Sequence, residues 1–135
     1  MSVLSTGFGI HLADVGRCMA LKLKRAYDRA SRADGTRILV ERLWPRGVSK
    51  ESLHVDAWLK DAGPSTELRK WFGHDPAKWR TFQQRYFREL DSRPEAWQAI
   101  LDAARNGPVT LVYSSRDEQH NNAVALKAYI EHQWR

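Results

Sequence analysis

The chain has 135 residues, the length of one domain. An apolar content of 42% with six Trp is enough for a real core, and no run approaches the roughly 18 apolar residues of a membrane-spanning helix. The net charge of +6 suits an anionic partner, but Lys and Arg are scattered among acids with no block of like charge, which weakens a nucleic-acid reading.

Residues 1–18 have little periodicity and include Gly7, Gly9 and Gly16. They read as an N-terminal extension (with Met19 an alternative initiator), and 19–135 reads as a single α/β domain. Gly, His and Asp stand where a secretory segment would be apolar, so the expected location is the cytoplasm. The single cysteine, Cys18, excludes an internal disulfide framework and a Cys-rich zinc site.

Leu21, Leu23 and Tyr27 alternate with charged residues, which predicts a first strand at roughly 20–27. Asp34-Gly35 is a turn signal. Ile38, Leu39 and Val40 then form a continuous apolar run, as in a strand covered on both faces, and Pro45 requires that strand to end by Trp44. Val55, Trp58 and Leu59 have i, i+3, i+4 spacing and predict a short helix stopped by Gly63-Pro64. Leu68, Trp71 and Phe72 predict another behind Ser65 as N-cap. Asp75-Pro76 opens a third helix, with Trp79, Phe82, Tyr86, Phe87 and Leu90 on one face. Ser92 to Glu95 reads as an S-x-x-E capping box before Trp97, Ile100, Leu101 and Ala104, closed by Asn106-Gly107-Pro108. Val109–Tyr113 is the last predicted strand. A second box, Ser115 to Glu118, is expected to open a terminal helix with Leu126, Tyr129 and Ile130 inward. The expectation is a small single α/β domain with helices packed on a mainly parallel sheet. Three strands make a thin sheet, which leaves room for one more at an edge.

In an open parallel sheet, ligands bind beyond the carboxyl ends of the strands. The segments 36–47 and 109–122 each run from a strand into a polar loop, and their ends are expected to lie side by side. The candidate ligand-binding residues are therefore Arg42, Trp44, Arg46, Tyr113, Ser114, Asn121 and Asn122, and the candidate catalytic pair is Asp117 and His120. Arg46, between Pro45 and Gly47, has the fork geometry to grip a phosphate or carboxylate. The structural alternative is an ion pair with Asp117, Glu118 or Glu41. Trp44 is either a stacking surface or a lid on the core. Ser115 reads as a helix cap, and Ser114 lacks a nucleophile elbow. Asp117 and Glu118 oppose an anion at the terminal helix, so the arginine side of the cleft should hold one. His120, near the cleft, and His74, in a loop, are candidates for acid–base work, the alternative being a structural or solvated histidine at 120 and a hydrogen-bonded loop residue at 74. His11, His54, His74, His120 and His132 are dispersed, so no metal site is expected. P-loop and dinucleotide fingerprints are absent, and no cofactor is indicated.

Three blocks carry a resemblance: R-I-L-V-E-R-L-W-P-R-G at 37–47, W-L-K-D-A-G-P-S-T-E-L-R-K-W-F-G-H-D-P at 58–76 and L-V-Y-S-S-R-D-E-Q-H-N-N-A at 111–123. They are similar, in order, to the signature blocks of the YeaO-like bacterial family of unknown function, over roughly residues 21–132. The resemblance implies a compact α/β domain in a bacterial cytoplasm and no known activity. A wider set of relatives has a loop that looks like C-A-E…C-H-R. Its cysteines fall here at Tyr113 and Asn121, its histidine at Asn122 and its arginine at Ala123, so that chemistry does not carry over.

Two functional classes follow. One is binding of, or action on, a small anionic, phosphate-bearing ligand in the cleft. The other is a nucleic-acid-associated accessory or a structural interaction module without catalysis. No membrane partner is expected, and the oligomeric state is open.

Overall fold

Four strands, β1 (Leu21–Arg25), β2 (Thr36–Leu39), β3 (Ala57–Trp58) and β4 (Val109–Tyr113), lie parallel in the order β1-β4-β2-β3. This computed structural model describes residues 20–134, so the extension expected at 1–18 lies outside the described residues. β4 is central and all five of its residues are buried, as a strand covered on both faces requires.

The helices are α1 (Lys50–Leu53), α2 (Thr66–Phe72), α3 (Trp79–Ser92), α4 (Gln98–Asn106) and α5 (Asn122–Gln133). Side-chain alternation along the strands sorts the core into two clusters. Ile38, Val40, Val109, Leu111 and Tyr113 join the larger one, with Phe72, Phe82, Tyr86, Ile100, Leu126 and Ile130 from the helices. Leu39 and Val112 point the other way, onto Ala26 and Leu53, with Trp44 and Trp58 packed against them.

The segment read as a helix around Val55–Leu59 is instead the edge strand β3. Asp56 N–H donates to Arg37 O at 2.7 Å and Leu59 N–H to Leu39 O at 2.9 Å. Ala57 and Leu59 pack on the larger cluster and Trp58 on the smaller, so the operative period is two and the helical spacing is incidental. This strand supplies the additional edge of the sheet.

Ser65 caps α2 as expected, its Oγ accepting from Leu68 N–H at 3.1 Å. Asp75 caps a single 3-10 turn, Pro76–Lys78, which leads into α3. The two capping boxes do not form. Ser92 is the last residue of α3 and its hydroxyl donates back to Glu89 O at 2.8 Å, so it closes one helix and does not open the next. α5 starts at Asn122 because Asp117 first captures the N–H groups of Gln119 (2.9 Å) and His120 (3.0 Å) in a side-chain turn. Asn121 is the cap, accepting from Val124 N–H at 2.9 Å.

The amino end of the sheet is locked by charge. Asp34 and Arg37, 5% and 4% exposed, pair at 2.6 Å, and Lys24 Nζ reaches Asp34 at 3.0 Å. Arg37 spends its remaining donors on the carbonyls of Leu53 and His54 at the end of α1. Gly35, at φ +65°, allows the close approach beside them: a Cβ there would sit 2.2 Å from Pro108 O.

Candidate functional site

β2 and β4 are neighbours in register, Thr36 opposite Val109 and Leu39 opposite Val112, so their C-terminal loops leave the sheet side by side. Glu41 ties those loops together. Its Oε2 accepts from Ser114 N–H at 3.0 Å and its Oε1 from Ser114 Oγ at 2.7 Å. Asn122 Nδ2 adds a bond to Val40 O at 2.8 Å.

Between the loops lies a cavity of about 310 Å³. Glu41, Arg42, Trp44 and Arg46 line it from the β2 side, and Ser114, Ser115, Asn121 and Asn122 from the β4 side. Phe72 and Phe82 reach it from the core, and Arg69 and His74 from α2 and the turn after it. His74 stands at φ +59°, a left-handed conformation uncommon outside glycine, directly after Gly73 at +53°.

The three arginines differ. Arg42 is anchored, Nε donating to Pro64 O at 2.7 Å and Nη1 pairing with Asp61 at 3.3 Å. Arg46 and Arg69 are exposed, and among the described residues neither guanidinium meets a carboxylate within 4.0 Å. The ion pair considered for Arg46 is thus not formed; the backbone carbonyl of Arg46 accepts from the Tyr27 hydroxyl at 3.0 Å.

Trp44 is a lid on the smaller core cluster and also lines the cavity. Its Nε1–H donates to Val48 O at 2.6 Å and its ring meets Trp58 edge-on at 5.3 Å, while the remaining surface faces the cavity. Tyr113 is 3% exposed and packs in the larger core cluster, outside the cavity lining. Burial, followed by the charge of Glu118, pushes its hydroxyl pKa up. Asn121 is 2% exposed and fully employed, capping α5 and donating to Asp117 O at 2.9 Å.

Asp117 and His120 do meet, Oδ2 to Nδ1 at 3.0 Å, beside the cavity and not on its wall. The Gln119 N–H holds the Asp117 carboxyl below its ordinary range; His120 adds to this, and partial desolvation opposes it. The imidazole packs edge-on against Trp79 at 5.4 Å. The pair braces the loop that delivers Asn121. Ser115 makes a local turn with Asp117, accepting from its N–H at 3.1 Å.

Two charged lining residues, Glu41 and Arg69, were not among the sequence candidates. Glu41 hides in an apolar strand-end run, where a carboxylate reads as a solvated charge. Arg69 sits on the exposed side of the α2 pattern, and only the tertiary placement of α2, which packs on α3, brings it to the cavity. Its position one turn after the Ser65 cap was a usable signal, because that helix follows the loop that Arg42 anchors.

The four positions where the wider relatives would place two cysteines, a histidine and an arginine are occupied by Tyr113, Asn121, Asn122 and Ala123. Tyr113 and Ala123 are buried in the core, and the two asparagines hold backbone. The chain is 41% identical over 112 residues to the uncharacterized protein YeaO of Escherichia coli, covering 83% of this chain and 97% of the relative. It is also 41% identical over 106 residues to the uncharacterized protein Rv3073c of Mycobacterium tuberculosis, covering 78% and 89%. No solved structure matches it. The family model described as the inactive DUF488-N3 subclade matches residues 20–135, and the chain belongs to that family, DUF488-N3i, among YeaO-like proteins of unknown function.

Proposed function

We propose that this protein binds a small anionic, phosphate-bearing ligand at the carboxyl ends of β2 and β4, without transforming it. The observation that carries the reading is the pair of exposed guanidiniums, Arg46 and Arg69, opening on one cavity with no internal carboxylate within 4.0 Å among the described residues. Charges left in this way suit a ligand that supplies the acceptors. His74 stands on the same wall in a backbone conformation that costs energy, a feature that clusters at ligand clamps. The setting we propose is the bacterial cytoplasm, where phosphorylated small molecules occur.

Binding without catalysis is supported by the family's description as an inactive subclade and by what fills the loop after β4. In this reading Asp117 and His120 position Asn121 and do not exchange protons with the ligand. The test is calorimetric titration with inorganic phosphate and pyrophosphate. The expected result is saturable binding that Arg46→Ala and Arg69→Ala each weaken. No heat from either anion would overturn the reading.

A second reading is weak, sequence-independent contact with nucleic acid. It is favoured by Trp71, whose ring lies under both Arg85, at 4.4 Å, and Lys78, at 5.0 Å. Titration of single-stranded and duplex DNA at two salt concentrations tests it. Tight binding that survives physiological salt would place nucleic acid ahead of the small anion.

A further inference from the structure

Glu41 is a carboxylate on a cavity wall shared with three arginines, yet it pairs with none of them. Its recorded partners are the N–H and hydroxyl of Ser114. A carboxylate offers about four acceptor sites, so two remain. The cavity lining therefore offers donors, at Arg46, Arg69 and His74, and an acceptor, at Glu41, without an ion pair among the described residues. The lining also has an apolar part, formed by Trp44, Pro45 and Phe72.

An inorganic anion uses only the first of these features. Near Glu41 it would be repelled, so the occupant must present hydrogen-bond donors there. It must also present carbon to the apolar wall. The volume, about 310 Å³, lies at the small end of the range for small-molecule sites.

We propose that the ligand is a phosphorylated sugar, with its phosphate at Arg46 and Arg69 and its hydroxyls donating to Glu41. The C–H face of the sugar lies against Trp44 and Pro45. This inference rests on the anion-binding reading above and adds the chemistry of the other end of the ligand. A polyol is preferred to an ammonium-bearing phosphate because part of the lining is apolar and a sugar carries both a hydrophobic face and several donors.

Calorimetric titration of the full chain with ribose 5-phosphate, methyl phosphate, O-phosphoethanolamine and inorganic phosphate tests it. Ribose 5-phosphate should bind about tenfold or more tighter than methyl phosphate or inorganic phosphate, the effect of one good hydrogen bond to a charged group. Glu41→Gln should collapse that ratio towards one. The wild-type comparison stands alone if the variant folds poorly. Equal affinities for all four phosphates would overturn this inference while leaving the anion site intact. A preference for O-phosphoethanolamine would overturn the sugar in favour of an amine, and a ratio unchanged in Glu41→Gln would remove Glu41 from the site. No binding of any phosphate would sink the anion reading itself, and this inference with it.

Discussion

Glu41 holds Ser114 with both of its carboxylate oxygens, at 3.0 Å to the backbone N–H and 2.7 Å to the hydroxyl. The contact spans 73 residues of sequence and fixes the spacing of the two loops that form the cleft. Replacing Glu41 by Ala leaves the Ser114 N–H without its recorded partner in a partly buried place. The expected cost is about 1–3 kcal/mol. A lower urea midpoint with an unchanged m-value would bear this out, and an unchanged midpoint would mean that the loops are held by other contacts.

The features readable in sequence are those set by local chemistry. Ser65 is an N-cap by residue type and by the apolar spacing behind it, and both survive in the fold. The Ile38 to Val40 run says that β2 is buried on both sides, and it is. The adjacency of β2 and β4 is an expectation raised by the polar loops at the two strand ends and not a deduction from local chemistry, and the pairing agrees with it. What stayed hidden is either a strand pairing or a short-range side-chain contact that runs against the expected pattern. β3 is only two residues long, and its pairing with β2 cannot be seen in a helical spacing of apolar residues. The start of α5 was misplaced because Asp117 folds its own turn before a helix can begin. The Arg37–Asp34 pair is invisible because a charged residue in a strand is ordinarily expected to face water.

That pair makes the next prediction. Burial alone would raise the Asp34 pKa, but the Ser31 N–H, Lys24, Arg37 and the Ser31 hydroxyl together outweigh it and hold the carboxyl well below its usual range. A depressed folded pKa contributes stability that is complete above the unfolded value, near pH 4, and is lost as pH falls towards the folded value. Asp34→Asn should therefore lower stability at neutral pH and flatten the acid limb of the stability curve. Asp34→Ala strands the Arg37 guanidinium, which is 4% exposed, at a cost of about 3–5 kcal/mol. Chemical denaturation at pH 7 and at pH 3 measures both. A parallel acid limb in Asp34→Asn would show that other carboxylates dominate.

Phe82 and Arg85 stand one turn apart on α3 and differ sharply in burial. Phe82 is 1% exposed and stacks on Phe72 with ring centres 4.3 Å apart, whereas exposed Arg85 rests over the Trp71 ring. Phe82→Ala should cost about 3–5 kcal/mol through the cavity it leaves. Arg85→Ala loses a surface cation–π contact and should cost less than about 1 kcal/mol. Equal shifts in a thermal melt would contradict the burial described for this helix.

Arg42 and Arg46 stand four residues apart on the same loop and are expected to respond oppositely. Arg42 is part of the scaffold: its Nε bond to Pro64 O at 2.7 Å joins the β2 loop to the segment before α2. Its pair with Asp61 adds little, because that carboxylate side chain is 70% exposed. Arg42→Ala should therefore cost about 1–3 kcal/mol, from the lost charged hydrogen bond. Arg46 has no such partner among the described residues, so Arg46→Ala should melt within about 0.5 kcal/mol of wild type, as surface substitutions do. Its expected effect is on the anion: one lost charged hydrogen bond of about 1.5–3 kcal/mol weakens pyrophosphate binding by about 10- to 100-fold. Arg46→Lys should recover only part of this, since an ammonium keeps the charge but loses the two-pronged geometry. Thermal melts and pyrophosphate titrations of the three variants separate the roles. An Arg46→Ala protein that melts well below wild type would make this arginine structural, and one that binds pyrophosphate as wild type does would remove it from the site.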